Sequence, residues 1–415
     1  MLFKTLRRRI PDFSLLPRAI GRSALIVGLV AATTAPVCRG DDTGPFSPLS
    51  FQNGVGFDDP TLRWKMNLRF RTQLGVFAAT ELGNEPASVG GQVRRLRLRL
   101  FGNAFSKELL YTIQLSFSRA DMDWDNTSFP NVVRDAVIVW RATDFFQLSF
   151  GQSKLPGNRQ RVVSSGEMQF ADRSIVNRAF NIDRDFAVQA ALSGKLGLGD
   201  AIGNARFAIS NGEGRNILTP DAGLAYTARL ELLPFGAFAD NGDYYEGDLA
   251  YERAPKLSFG GGYSWNERTR RTGGQLGRDF GGNQTRSMGT AFADAVFKYR
   301  GFSLYGEAMY RHAKDAVVDA ASRLFVLTGY GALAQAGYFL DDRWELVARA
   351  AMVRPAVAVE ALAKEQVQWT VGVNRYLNHH RVKLQADVTW NTETDRATAV
   401  TERNWLGRFQ IELGI

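Results

Sequence analysis

Residues Leu62–Ala78 read LRWKMNLRFRTQLGVFA. One alternate set is Leu62, Trp64, Met66, Leu68, Phe70, Thr72, Leu74, Val76 and Ala78; the other is Arg63, Lys65, Asn67, Arg69, Arg71, Gln73, Gly75 and Phe77. Successive strand side chains point to opposite faces, so this segment carries one apolar and one strongly basic face. Exposed to bulk water on a soluble sandwich, so many cations on one short strand repel each other. In a membrane barrel the same alternation means lipid outside and an aqueous lumen inside.

Working outward, the pattern recurs. ELGNEPASVGGQ reads as a polar loop, and VRRLRLRLFGNAF then sets Leu96, Leu98 and Leu100 against Arg95, Arg97 and Arg99. The turn Ser106-Lys107-Glu108 leads into LLYTIQLSF, a hairpin signal. Strands follow near 132–141, 145–154, 185–194, 205–211, 223–233, 256–266, 290–300, 302–312, 330–340, 343–354, 367–377, 380–390 and 404–415. Turns at Arg300-Gly301, Asp341-Asp342 and Asn378-His379 are tight, whereas 267–289, 313–329, 355–366 and 391–403 are long and polar. Short connections at one end and long ones at the other are characteristic of outer-membrane barrels. YEGDLAYER, inside 234–255, tempts a seventeenth strand. Bacterial single-chain barrels have even strand numbers, so 234–255 is read as a long periplasmic connection and the total is sixteen. The last strand sets Trp405, Gly407, Phe409, Ile411, Leu413 and Ile415 against Arg408, Gln410 and Glu412, and ends in Ile415 where a terminal aromatic is common.

Composition agrees. Aromatics at 12% and 41 glycines suit strands and tight turns. The only long apolar run is 23–37, and no later segment approaches the roughly 18–20 apolar residues of a spanning helix. That run follows Lys4, Arg7, Arg8, Arg9, Arg18 and Arg22, so residues 1–40 read as a signal peptide. Cys38 leaves with it, which excludes a disulfide framework or thiolate metal site. Residues 1–40 carry seven Lys/Arg and one Asp, so their removal takes the net charge from +9 to +3. Nucleic acid is therefore not an expected partner. Residues 41–60 read as a periplasmic lead-in and 61–415 as the barrel.

Asp121, Asp123 and Asp125 have the opening spacing of a calcium loop, but Asn126 and Val132 stand where Gly and Glu belong; an acidic, solvated loop is expected. Residues 155–184 show no alternation and hold Arg159, Arg161, Arg173, Arg178 and Arg184 against Glu167, Asp172 and Asp183. A segment this long between strands is usually functional, although an outward loop with internal ion pairs fits the composition equally. The three histidines, His312, His379 and His380, have no triad context, and Gly329-Tyr330-Gly331 lacks dinucleotide spacing, so neither an enzyme nor a cofactor is expected.

In VRRLRLRLFGNAF, RDAVIVW, LSFGQSKLPG, the MQFADRS run, ADAVFKYRGFSLYGEAMYR, AQAGYFLDDRWELVARA and VGVNRYLNHHRVKLQADVTW, residues 50–415 resemble the phosphate-selective porins (O and P) of Gram-negative outer membranes. The resemblance implies a homotrimer of 16-stranded antiparallel transmembrane β-barrels, with 155–184 folded inward as a constriction, passing small anions such as phosphate. Arg94 and Arg95 match the family's paired arginines, Asp135 an acidic position, and Arg161 a position held by lysine in some members; a second such lysine is Gly166 here. The expected pore-lining set is Arg63, Lys65, Arg69, Arg71, Arg94, Arg95, Arg97, Arg99, Asp135, Lys154, Arg159 and Arg161. Rows of cations where solvent is restricted select anions, and guanidinium suits oxyanions. Later strands are mixed, Asp294 with Lys298, Glu307 with Arg311, Glu345 with Arg349, Lys383 with Asp387, and Arg408 with Glu412, and read as intrabarrel ion networks rather than a second conducting row. An unselective diffusion porin and a non-conducting adhesive barrel are the alternatives; the lack of a plug-sized domain before residue 60 argues against the latter.

Overall fold

The computed structural model describes residues 49–50, 54–59, 63–81, 84–122, 130–217 and 223–415. The expected signal segment 1–40, Cys38, most of the lead-in and Leu62 lie outside these residues.

Sixteen antiparallel strands form the wall: β1 (Lys65–Glu81), β2 (Asn84–Asn103), β3 (Leu109–Ser116), β4 (Val133–Arg141), β5 (Phe146–Lys154), β6 (Arg184–Lys195), β7 (Ile202–Ser210), β8 (Ala225–Leu233), β9 (Lys256–Thr269), β10 (Arg286–Tyr299), β11 (Phe302–Ala313), β12 (Gly329–Phe339), β13 (Trp344–Pro355), β14 (Glu365–Asn378), β15 (Val382–Asp395) and β16 (Val400–Gly414). Each pairs with the next, and β16 pairs back onto β1 from Asn404↔Glu81 to Gly414↔Arg71. Closure leaves no edge in the wall. Two exchanged backbone hydrogen bonds, of 3.2 and 3.0 Å, tie Ile415 to Phe70. Below that seam the short strand Val55–Asp58 pairs with the start of β1.

The alternation does what membrane physics requires. Leu68, Phe70, Leu74 and Val76 are exposed on the outer surface of β1, while Asn67 and Gln73 are buried within. Trp369, Trp390 and Trp405 are exposed cross-strand neighbours near the long-loop end, a row of the kind that sits at a membrane interface. The two-residue turn Arg300-Gly301 has positive φ at both positions (49° and 81°), the geometry that matches the right-handed twist of its strands.

The strands run further than alternation suggests. ELGNEPASVGGQ is largely strand, since β1 runs to Glu81 and β2 begins at Asn84, which pairs with it, and 391–403 is mostly strand in β15 and β16. Ladder hydrogen bonds hold these polar stretches together without an apolar face. Residues 234–255 form no barrel strand.

Two connections turn into the barrel. Residues 155–183 contain α1 (Arg159–Val162) and α2 (Ile175–Phe180) and lie inside the ring, with Phe170, Val176 and Phe180 fully enclosed. Residues 234–255 fold against them from the opposite end: the Glu246 amide donates to the Glu167 carbonyl (2.8 Å) and the Gln169 amide to Glu246 Oε2 (2.7 Å). Lumen filling thus comes from inserted connections, a source that weighing only the residues before 60 overlooks.

Candidate functional site: a cationic cavity beside the inserted loop

Two irregularities set the wall's chemistry. Strict alternation forbids neighbouring residues from sharing a face, yet both arginines of the Arg94-Arg95 pair point inward. The register explains it: Gln73 faces Arg95 and Leu74 faces Val93, so Arg94 is the extra residue of a β-bulge. A second shift, with Gln114 facing Asp135 and Leu115 facing Val133, turns both Arg134 and Asp135 inward.

The loop is held on its far side by carboxylates of β8–β13. Arg159, 1% exposed, donates from Nε to Asp294 Oδ1 (2.6 Å) and from Nη2 to Glu231 Oε1 (3.0 Å) and Ser258 Oγ (2.9 Å). Arg229 completes the network on Asp294 and Glu231. Glu307 accepts from the Gln160 amide and from Asn158 Nδ2, each at 3.0 Å. Glu345 accepts from Gln169, Asn374 and Tyr376. Lys383 Nζ donates to the carbonyls of Gly166 (3.0 Å) and Met168 (2.7 Å). Between this wall, the loop and 234–255, a cavity of about 20 Å³ remains, room for about one water.

The near side differs. Arg71 reaches Ser165 Oγ (2.7 Å) and Ser164 Oγ (3.4 Å), Arg97 donates to Ser165 Oγ (2.8 Å), and Gln73 Nε2 to the Ser165 carbonyl (3.0 Å). Arg94 grips Asp172 from Nε and Nη2 at 2.9 and 2.7 Å. Burial pushes that carboxyl up, but Arg94, Arg95 and Arg408 hold it down at about 2. Burial also opposes the charge of Asp183, and Arg161 and Arg184 keep it well below the usual carboxylate range. Between loop and wall lies a cavity of about 410 Å³. Arg69, Arg71, Arg97, Arg99, Arg134, Lys154, Arg173, Arg184 and Arg381 line it, against three carboxylates: Asp135, Glu167 and Glu412. Burial and the adjacent Lys383 keep the His380 imidazole at its rim well below its usual range, so it adds no charge.

Several of these cations have no carboxylate partner. No hydrogen bond or ion pair with a described residue holds the Arg69 guanidinium, and that of Arg99 stacks 4.7 Å over the Phe101 ring. Lys154 donates to the Val162 and Val163 carbonyls (2.6 and 3.2 Å), and Arg173 to those of Gln160 and Val163 (2.6 and 2.8 Å). Burial, with Arg161 and Arg95 nearby, pushes the Arg173 guanidinium well below its ordinary value. A bound anion relieves that cost.

Of the twelve residues expected to line the pore, Arg69, Arg71, Arg97, Arg99, Asp135 and Lys154 meet at this cavity. Arg63 is exposed just before β1, and Lys65 pairs with Asp58 at 2.9 Å. Arg94 and Arg95 are committed to Asp172, Arg161 to Asp183, and Arg159 to the far-side carboxylates. Asp135 is a partner of Arg184 (2.8 Å) rather than a free charge. Asp121 is not solvated: it is buried against Arg97 and Arg134, which hold its carboxyl down against the effect of burial; Asp123 and Asp125 lie outside the described residues. Alternation missed Arg134, Arg173, Arg184 and Arg381, which sit at a bulge, in the loop, at a strand's first residue and in a turn.

The mixed charges of the later strands form ion networks across the ladder and with the inserted loop, not along one strand. Residues i and i+4 on a strand are about 13 Å apart, while neighbours across a ladder are about 5 Å apart. Lys383 accordingly meets Glu412 and Arg408 meets Asp387, both direct cross-strand partners. Asp294 is taken by Arg159 and Arg229. Lys298 donates to the Tyr245 and Gly247 carbonyls.

At the long-loop end a second cavity of about 380 Å³ is lined by Arg178, Arg278, Arg311 and Arg323, with no carboxylate among the described lining residues.

Comparison with known proteins places this geometry. The family described as phosphate-selective porin O and P matches residues 65–411. Among solved structures, the anion-selective porin from Comamonas acidovorans is similar over 84% of this chain and 99% of its own, with 13% identity and a TM-score of 0.52. The outer membrane channel DcaP of Acinetobacter baumannii is similar over 88% and 100% (10% identity, TM-score 0.54), and Pseudomonas putida OprB over 84% and 94% (8% identity, TM-score 0.54). At these identities the likeness is one of fold. Comparison with curated proteins gave no match.

Proposed function

This chain belongs to the phosphate-selective porin O and P family and is an outer-membrane porin, and from that premise we propose that it passes small anions, phosphate or related oxyanions among them, by passive diffusion. The observation that carries this reading is the near-side cavity, lined by nine cations and three carboxylates, where Arg69, Arg99, Lys154 and Arg173 have no carboxylate partner among the described residues. Restricted solvent and low-dielectric walls focus such an excess and raise the local anion concentration. The arginine-lined cavity at the long-loop end supplies a second attractive region on the other side of the loop.

In this reading residues 155–184 are the constriction, Arg69, Arg71, Arg99, Lys154 and Arg173 contact the solute, and Arg94, Arg95, Arg159 and Arg161 hold the loop. A single charge-bearing site replaces the pair of loop lysines found in some relatives. A Cβ on Gly166 would lie 2.2 Å from Arg71 Nη1, so a wall arginine fills the space a side chain there would need. The protein acts as a channel and not an enzyme, needs no cofactor, carries residues 1–40 as its export signal and assembles as a trimer in outer-membrane lipid.

Zero-current potentials across planar bilayers in a potassium chloride gradient test the reading. Chloride preference is the expected result. A ratio near one indicates an unselective porin, and cation preference refutes the proposal.

A further inference from the structure

The near-side cavity is not uniformly charged. Along the ladder, Arg69, Arg99, Gln114 and Asp135 form one inward row. The next inward row toward the short-turn end, about 6–7 Å away, is Asn67, Phe101, Thr112, Val137, Gly151 and Ala187. The row after that places Leu110 beside Val139. On β4 the lipid takes Ala136, Ile138 and Trp140. Val137 and Val139 are therefore apolar on the aqueous face, where lipid offers no reason for them. Both line the cavity. A charged row thus borders an uncharged shelf, whose apolar part is Val137 and Val139 beside Thr112, and the Arg99 guanidinium lies over the Phe101 ring between the two rows.

Size points the same way. At about 30 Å³ per water-sized group, a five-atom oxyanion fills under about 150 Å³. The cavity of about 410 Å³ is instead in the range of small-molecule sites.

We infer that the cavity is a binding site for organic oxyanions: the headgroup lies on Arg69, Arg99 and Arg173, and an apolar body of several carbons lies on Val137 and Val139. This rests on the anion-channel reading and narrows its solute class. Bare phosphate fills little more than about a third of the site. Guanidinium forks orient the headgroup, and the shelf adds affinity through apolar area removed from water.

The test uses the full-length protein in planar bilayers with chloride as the carrier, comparing block by orthophosphate, methyl phosphate and phenyl phosphate. The three share a headgroup and differ in apolar area. Half-block by phenyl phosphate is expected at a concentration at least about tenfold below that of orthophosphate, with methyl phosphate between them. In the Val137→Asn, Val139→Asn double variant, half-block by phenyl phosphate and by orthophosphate should come within about twofold of each other. Equal block by all three in the wild type, or a phenyl preference that survives in an inserted variant, overturns the inference. The wild-type series decides by itself if the variant fails to insert. Chloride preference combined with equal block sinks the organic-anion site alone; cation preference sinks the anion-channel reading beneath it.

Discussion

The two sides of the lumen meet the same inserted loop in opposite ways. On the β8–β13 side, wall carboxylates reach the loop's donors, Arg159, Gln160 and Gln169, and about 20 Å³ is left open. On the β1–β6 side, wall and loop both bring cations, and about 410 Å³ stays open. Opposite charges let chain and wall close on each other. Like charges cannot be packed together without water or counter-ions between them. The loop is thus packed closely on one side and clamped on the other only at points such as Ser165 and Asp172, and the gap beside those points keeps the cations that have no carboxylate partner.

The sharpest way to break the comparison is to truncate one arginine on each side. Arg159→Ala leaves Asp294 and Glu231 buried with Arg229 as their main partner, and removing one member of a buried ion network costs about 3–5 kcal/mol. Thermal unfolding in detergent should show that loss, whereas Arg69→Ala should change stability by no more than about 0.5 kcal/mol. Equal destabilisation by the two would erase the distinction.

Selectivity should show the reverse dependence. A unit charge about 10 Å from an ion in water changes its energy by about 0.4 kcal/mol, roughly twofold. Reversing Arg69 and Arg99 to Glu changes four units, roughly sixteenfold against chloride and as much in favour of potassium, so the chloride-to-potassium permeability ratio should fall by about two orders of magnitude at low salt. A zero-current potential that does not move would show that these arginines are not on the ion's path.

Acid should loosen the near-side clamp. The Asp172 carboxyl is held at about 2, below its unfolded value of about 3.9, so its contribution is complete above about pH 4–5 and is lost as pH falls through 2. Current noise from loop motion should rise over that range, and Asp172→Asn should show the noisy state already at neutral pH. The smallest effect belongs to Gly166→Ala. Its methyl displaces the flexible end of Arg71, so stability should shift by less than about 1 kcal/mol while unit conductance changes measurably.

Much of the wall was legible because its rule is local. Leu against Arg in β1 and β2 states which face meets lipid, and the even count closes the ring without a strand at 234–255. The site was legible only in part. Arg97 and Arg99 follow from alternation, but Arg94 and Arg134 face inward only because a bulge shifts the register. The network around Lys383 was legible as a network but not in its pairing, since its partner, Glu412, is 29 residues away in sequence and one ladder step away in space.

Sequence by itself determined the strands, the ring and a store of cations on its first two strands, because a period of two and a demand for lipid contact act residue by residue. Tertiary structure decided which of those cations are neutralised. That depends on where Asp121, Asp172 and Glu412 come to rest inside the ring, and charge pairing across a few ångströms is invisible to a pattern that runs along the chain.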